Sequence, residues 1–275
     1  MKIRLLSTVI CAAIVSTMVM GCSSGASAPA TTAAAAAAPE TEVKDTTAGD
    51  TLAAKADGAV DYSDVTVEIV AKGFQHDFWK AVKMGSEQAA EDLGLKSTNF
   101  VGPASESAVA EQIEQLNNAV NKAPSAICLA ALDTQAALDA ISNAQAANIP
   151  IVGFDSGVPD APAGSIVANA ATDNYVAGGL AAEKLYEMIK DKVTAPAEEV
   201  RIGVGFDSGA IQLDAIKSGV LAGSITQNPV QIGYQAVTLA AKAAKGEPVE
   251  DVDTGALWYD SANMDSAEVA PCLYK

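Results

Sequence analysis

The sequence predicts an α/β protein built on a parallel sheet flanked by helices, and three observations carry that prediction. From Val65 onward, strand-like runs alternate with helix-like periodicities in units of about thirty residues, as successive strand-helix repeats require. Hydrophobic residues make up 49% of the chain and charged ones 19%, enough for a core, while aromatics at 5% leave alanine and aliphatic side chains to pack helices closely on the sheet. The hexapeptide Val-Gly-Phe-Asp-Ser-Gly occurs twice, at 152–157 and 204–209, each time at the end of an apolar run.

Val65 to Val70 alternates as a strand. A helix follows from Asp77, a good N-cap, to Leu93, where Gly94 stops it. Val109, Ile113, Leu116 and Val120 fall on one helical face ahead of Pro124 and a strand from Ala126 to Ala130. Asp133 or Thr134 caps a helix carrying Leu138 and Ile141, and the next strand runs from Ile149 to Phe154. Ser165 to Ala168 reads as a short strand, after which Asp173 caps a helix with Ala177, Ala181, Leu185 and Met188 on one side. Beyond Pro196, a strand from Val200 to Val204 enters the second hexapeptide. A short helix to Lys217, a strand near Gly223 to Thr226, a helix from about Val230 to Lys245 and an irregular acidic tail complete the pattern.

The start of the chain is of a different kind. Lys2 and Arg4 precede an apolar run, Leu5 to Met20, that ends in Val19-Met20-Gly21-Cys22, the layout of a secretory signal and too short for a comfortable membrane span. It resembles a bacterial lipoprotein signal, which implies cleavage after residue 21 and an acyl anchor on Cys22; the alternative is a plain secretory signal with an incidental cysteine. Residues 22–64 are rich in Ser, Thr, Ala and acidic residues and read as a disordered tether. Cys128 sits in an apolar run as inert packing, although an oxidising compartment allows a disulfide to Cys272.

A net charge of -17 argues against a nucleic-acid binder, which needs a basic footprint. His76 is the only histidine, so a His-rich metal site is excluded and a Ser-His-Asp triad would depend on it alone. Gly21 to Gly25 matches a nucleophile-elbow pattern but straddles the signal cut. Gly203-Val-Gly205 is one glycine short of a dinucleotide fingerprint, and no Gly-Lys pair exists for a phosphate loop. Asp251 and Asp253 lack the other ligands of a calcium loop. The expectation is a protein that is not an enzyme, with no catalytic residue, no metal site and no cofactor.

In an open α/β sheet, residues just past the carboxyl ends of the strands line the ligand crevice. Asp155 and Asp207, one in each hexapeptide, are therefore either two carboxylates from facing lobes or simply parts of two turns or helix caps. Together with Lys72 to Lys80, Ile149 to Ser156, Ala171 to Gly178, Val204 to Gln212 and Ala222 to Pro229, they make the chain from Val65 onward resemble the type I periplasmic binding proteins. Within that family it resembles the ribose-binding-protein-like solute receptors of sugar ABC transporters.

The resemblance implies two Rossmann-like lobes joined by hinge crossovers and closing on a sugar. It assigns 65–170 with 229–256 to the N-terminal lobe, 171–228 with 257–275 to the C-terminal lobe, and a hinge at Asn169, Asn228 and Pro229. Phe78 and Trp79 would offer apolar faces to a sugar ring, at least one of them being core; Gln75 and His76 would bond hydroxyls, with a merely exposed polar role as the alternative for His76. Asp155 and Asp207 would accept hydroxyl donors, with Gln227 as a further polar contact. The implied protein is a monomeric, extracytoplasmic lipoprotein that delivers a small sugar or polyol to a membrane permease. The alternative is a sensor that presents its ligand to a chemoreceptor or histidine kinase. A repressor sharing the effector fold is disfavoured by the export signal and the absence of a basic helix-turn-helix.

By the family's proportions, the second lobe is short. About three strand-helix units, on the order of 90 residues, are missing between Val204 and Gly205, so this lobe is expected to be truncated. An arginine and an asparagine that face the sugar in the family then have no counterpart, which would weaken binding by roughly 10² to 10⁴.

Overall fold

The computed structural model describes residues 60–191 and 204–274, which belong to one compact unit. The signal segment, Cys22, nearly all of the tether and the expected strand from Val200 as far as Gly203 lie outside the described residues. The strands are β1 (Thr66–Val70), β2 (Ser97–Val101), β3 (Ala126–Leu129), β4 (Ile151–Phe154), β5 (Ile166–Ala171), β6 (Gly205–Phe206), β7 (Ser224–Gln227), β8 (Val252–Asp253) and β9 (Ala256–Tyr259). The helices are α1 (Asp77–Leu93), α2 (Val109–Asn121), α3 (Leu138–Ala146), α4 (Asn174–Ile189), α5 (Ala210–Lys217) and α6 (Pro229–Ala244).

Six strands form an all-parallel sheet in the order β2-β1-β3-β4-β5-β8. β3 and β4 are buried along their whole length, which is why they read as unbroken apolar runs: helices cover both faces. On one face, α1 and α6 pack with Val67, Ile69, Cys128 and Phe154 beneath them. The two helix backbones touch, because a Cβ on Gly85 would lie 1.9 Å from the Val230 carbonyl and one on Gly233 1.9 Å from that of Val82. On the other face, α2 and α3 cover Ile127, Leu129 and Ile151.

Several expectations need correction. Asp77 is the first residue of α1 and not its cap; His76 holds the cap position without a capping side-chain bond, while Asp77 favours the positive helix end and pairs with Lys80. Gly94 ends α1 in a left-handed conformation (φ 64°), as anticipated. Asp133 accepts from the amides of Gln135 and Ala136 and so caps a turn, after which α3 begins only at Leu138. On α2, Leu116 is fully buried, and beside it the polar Gln112 is buried as well. Its amide donates to the carbonyls of Ala71 and Ala130 and accepts from the Leu132 amide, joining the carboxyl ends of β1 and β3.

β2 escaped the sequence reading because it is an edge strand with no fully buried residue, and its Ser-Thr-Asn start lacks an apolar alternation. The acidic tail is more ordered than expected. β8 extends the first sheet, β9 pairs antiparallel with β7, and a short 3-10 turn follows at Ala270–Cys272. The acids of this region are used locally: Asp251 accepts from the Asn169 amide and Asp253 from the amides of Asp173 and Gly255. Cys128 and Cys272 are both buried and free.

The second sheet has three strands among the described residues, in the order β6-β7-β9, and packs against α4 and α5. Asp173 caps α4 as expected, accepting from the amides of Tyr175 and Val176. Beside the six-stranded first sheet, this lobe is partial. Among the described residues, the three most exposed large apolar side chains all belong to it: Tyr175 (92%), Ile211 (88%) and Val220 (83%). Among the described residues the chain passes between the two sheets after β5, between β7 and α6, and between β8 and β9.

Candidate ligand-binding cleft

Strand ends and helix starts converge on a cavity of about 360 Å³ between the two sheets, within the usual size of a small-molecule site. The two hexapeptides meet there. Asp155 follows β4 and Asp207 follows β6, and both line the cavity. Their backbones match as well: φ is 61° at Asp155 and 66° at Asp207, a left-handed conformation that aspartate tolerates better than most residues. At Asp155 the turn is tight enough for the Ser156 amide to donate to the Phe154 carbonyl at 2.6 Å.

The two carboxylates have different partners. Asp155 Oδ2 is ion-paired to Lys72 Nζ at 2.7 Å, with side chains only 13% and 21% exposed. Burial pushes the Asp155 carboxyl above its usual range, and the carboxylates of Asp207 and Glu106 add to the shift, against the pull of Lys72. Asp207 Oδ1 accepts from Gln227 Nε2 at 2.9 Å, and its carbonyl accepts from the Tyr259 hydroxyl at 2.8 Å.

Of the other expected site residues, His76, Phe78, Trp79 and Gln227 line the same cavity. Gln75 does not; it is exposed, with its side-chain amide 3.2 Å from the His76 ring. Phe78 and Trp79 are both core, 6% and 2% exposed, packed edge to face with centroids 4.9 Å apart. They form an apolar floor in place of an open platform. Trp79 Nε1 donates to Glu106 Oε1 at 2.7 Å. Asn169 lies within β5, ahead of the first crossing, with its amide tied to Asp251. Asn228 and Pro229 stand at the second crossing, where Asn228 caps α6 through the Gln231 amide.

Lys72, Glu106, Ser208 and Tyr274 also line the cavity. Lys72 was readable from the carboxyl-end rule, because it stands two residues past β1. Glu106 stands five residues past β2 and was lost with that strand. Ser208 is part of the repeat itself. Nothing local marks Tyr274.

Residues 67–204 match the family profile described as a periplasmic binding protein domain. Among solved structures, a chain described as an ABC transporter, LacI family transcriptional regulator from Brachyspira murdochii is 31% identical, with a TM-score of 0.69 over 77% of this chain and 99% of that one. An ABC transporter solute-binding protein from Agrobacterium vitis with bound D-fucose is 23% identical, with a TM-score of 0.65 over 76% and 100%. A glucose-galactose binding protein from Geobacillus stearothermophilus is 20% identical, with a TM-score of 0.63 over 74% and 99%; these last two speak to fold alone. No curated protein matches the sequence. With a family match over half its length and a 31% identical structure spanned almost end to end, the chain belongs to the periplasmic binding protein family and has its type I fold.

Proposed function

We propose that this protein is an extracytoplasmic, lipid-anchored solute-binding protein that captures a small sugar or polyol between its lobes and delivers it to an ABC transporter permease. The observation that carries the reading is the meeting of Asp155 and Asp207, from two identical hexapeptides on different sheets, in one cavity with Gln227 and the Phe78 floor. Asp155, Glu106 and Asp207 each spend one oxygen on a protein donor, from Lys72, Trp79 and Gln227 respectively. A hydroxyl-rich ligand supplies donors to oxygens that remain, while the ammonium of Lys72 retains protons to give.

The lobes are assigned as 65–170 with 229–256 and 171–228 with 257–275, and the chain acts as a monomer. Cys22 carries the anchor, and residues 22–64 hold the lobes off the membrane. The Agrobacterium vitis protein that shares this fold was solved with bound D-fucose, and a carbohydrate in this cleft follows it by analogy of fold. Three carboxylates against one lysine also set a sign: neutral sugars are accepted and acidic ones refused. Because the second lobe is partial, binding is weak for the family.

Calorimetric titration of the mature protein with neutral hexoses, pentoses, polyols and their uronic-acid counterparts tests the reading. The expected result is binding of one neutral sugar in the micromolar to millimolar range, with its uronic acid silent. Binding of the acid in preference to the neutral sugar would overturn the charge argument, and silence toward every sugar would overturn the function.

A further inference from the structure

The cavity wall contains one aromatic side chain that neither the sequence pattern nor the matched region, residues 67–204, accounts for. Tyr274 is brought to the cleft by the chain beyond β9 and is fastened to the second lobe. Its amide donates to Ser208 Oγ at 2.8 Å, and that hydroxyl donates back to the Tyr274 carbonyl at 3.0 Å. Two residues earlier, the Cys272 carbonyl accepts from Thr226 Oγ1 at 3.0 Å. Both anchoring residues, Ser208 and Thr226, are buried.

Its ring, by contrast, faces the first lobe. It meets Phe78 edge to face, with centroids 5.3 Å apart and planes at 70°, so Phe78 lies against both Tyr274 and Trp79. The phenol is kept protonated, first by burial and then by the neighbouring Asp207 carboxylate. The two carboxylates of the repeat are thus balanced differently. A cation steadies Asp155, whereas a neutral donor, the Gln227 amide, stands at Asp207, with Tyr274 on the same cavity wall. A phenol on the cavity wall has one proton to give and oxygen lone pairs to accept a ligand hydroxyl.

We propose that Tyr274 is a ligand-contacting, specificity-determining residue: its phenol reads one hydroxyl of the bound sugar, and its ring closes the cleft against Phe78. The inference rests on the reading of the cleft as a sugar site. It gives the partial second lobe a polar contact drawn from the tail, where the family's own units are missing.

The test compares wild type with Tyr274→Phe, which keeps the ring and removes the hydroxyl, against the best-bound neutral sugar and its complete set of monodeoxy analogues. The expected result is about tenfold weaker binding of the parent sugar by the variant. For one deoxy analogue, the one without the hydroxyl read by Tyr274, the two proteins should bind equally. Equal binding of every sugar by both proteins overturns the inference, as does a uniform loss across the deoxy series, which would mark a purely structural tyrosine. Tighter binding by the variant also overturns it, because the phenol would then be an occupant that ligand must displace. Should the variant fail to show a cooperative melt, Ser208→Ala loosens the tail and leaves the ring intact, and the same deoxy comparison applies. Failure of wild type to bind any sugar refutes the parent reading, and the inference with it; normal wild-type binding with an indifferent Tyr274→Phe refutes the inference alone.

Discussion

The two copies of Val-Gly-Phe-Asp-Ser-Gly are identical in sequence and place their aspartates at nearly the same φ, yet they live in different surroundings. In both, the aspartate turns left-handed at the end of a strand and reaches the same cavity. In both, the first glycine leaves space for an amide side chain: a Cβ on Gly153 would lie 2.1 Å from Asn169 Oδ1, and one on Gly205 2.0 Å from Gln212 Nε2. Phe154, however, is completely buried in the six-stranded sheet with β3 and β5 on either side, whereas Phe206 is 44% exposed on β6, the edge of the three-stranded one. Local sequence therefore sets the shape of the turn, while the neighbouring strands decide what each side chain is worth.

The sharpest way to break this comparison is to truncate both phenylalanines. Phe154→Ala removes a fully buried ring that also meets Trp79 edge to face at 6.2 Å, and should cost about 3–5 kcal/mol in chemical denaturation. Phe206→Ala should stay within about 0.5 kcal/mol of wild type. Equal losses would mean that the second lobe buries Phe206 in solution, through residues outside those described or through another chain.

The carboxylates come next. Lys72→Met leaves Asp155 in its enclosed position without its cation, and should cost about 2–3 kcal/mol, below the figure for a fully buried pair because both side chains keep some exposure. Gln227→Leu, which removes a neutral partner from Asp207, should cost about half as much in the same urea titration. A larger effect at Gln227 would reverse the ranking of the two sites.

A smaller contrast separates the glycines. Gly153→Ala drives a methyl group into Asn169, whose amide is held by Asp251, and should cost about 1–3 kcal/mol. Gly205→Ala meets the far end of the half-exposed Gln212 and, at 2.7 Å, the buried Ser224 hydroxyl, both of them side-chain ends, and should cost no more than Gly153→Ala. Melting temperatures of the two variants decide the order.

The smallest effect is one of pH. Because the Asp155 pKa is raised in the folded protein, the native state holds its proton more tightly than the unfolded chain, whose carboxyl titrates near 3.8. Stability from this group is complete below about pH 4 and declines as pH rises through its raised folded value. Asp155→Asn should flatten that part of the stability profile, and an unchanged slope would show that Lys72 outweighs burial.

Much of the first lobe was legible because its signals are local and strong. β3 and β4 are apolar throughout, Gly94 stops α1, and Asp173 caps α4, so period and cap chemistry sufficed. β2 and β9 were missed for complementary reasons. An edge strand such as β2 needs no apolar alternation, and four apolar residues set among the acids of the tail carry too little pattern to be told from loop. Gln112 was invisible as a core residue because a glutamine enters the interior only when the fold presents it with backbone groups to satisfy.

The cleft divides along the same line. The sequence alone determined the α/β class and the strand ends that carry Asp155 and Asp207, since each is encoded by neighbours a few residues apart. Tertiary structure alone decided that Lys72 pairs with Asp155 across 83 positions of sequence and that Tyr274 stands beside Asp207 and bonds Ser208 across 66. It also decided that Gln75 is left outside the cavity while Phe78 and Trp79 become its floor. Contacts of that range depend on how sheets and helices stack, and packing leaves no periodic trace in the chain.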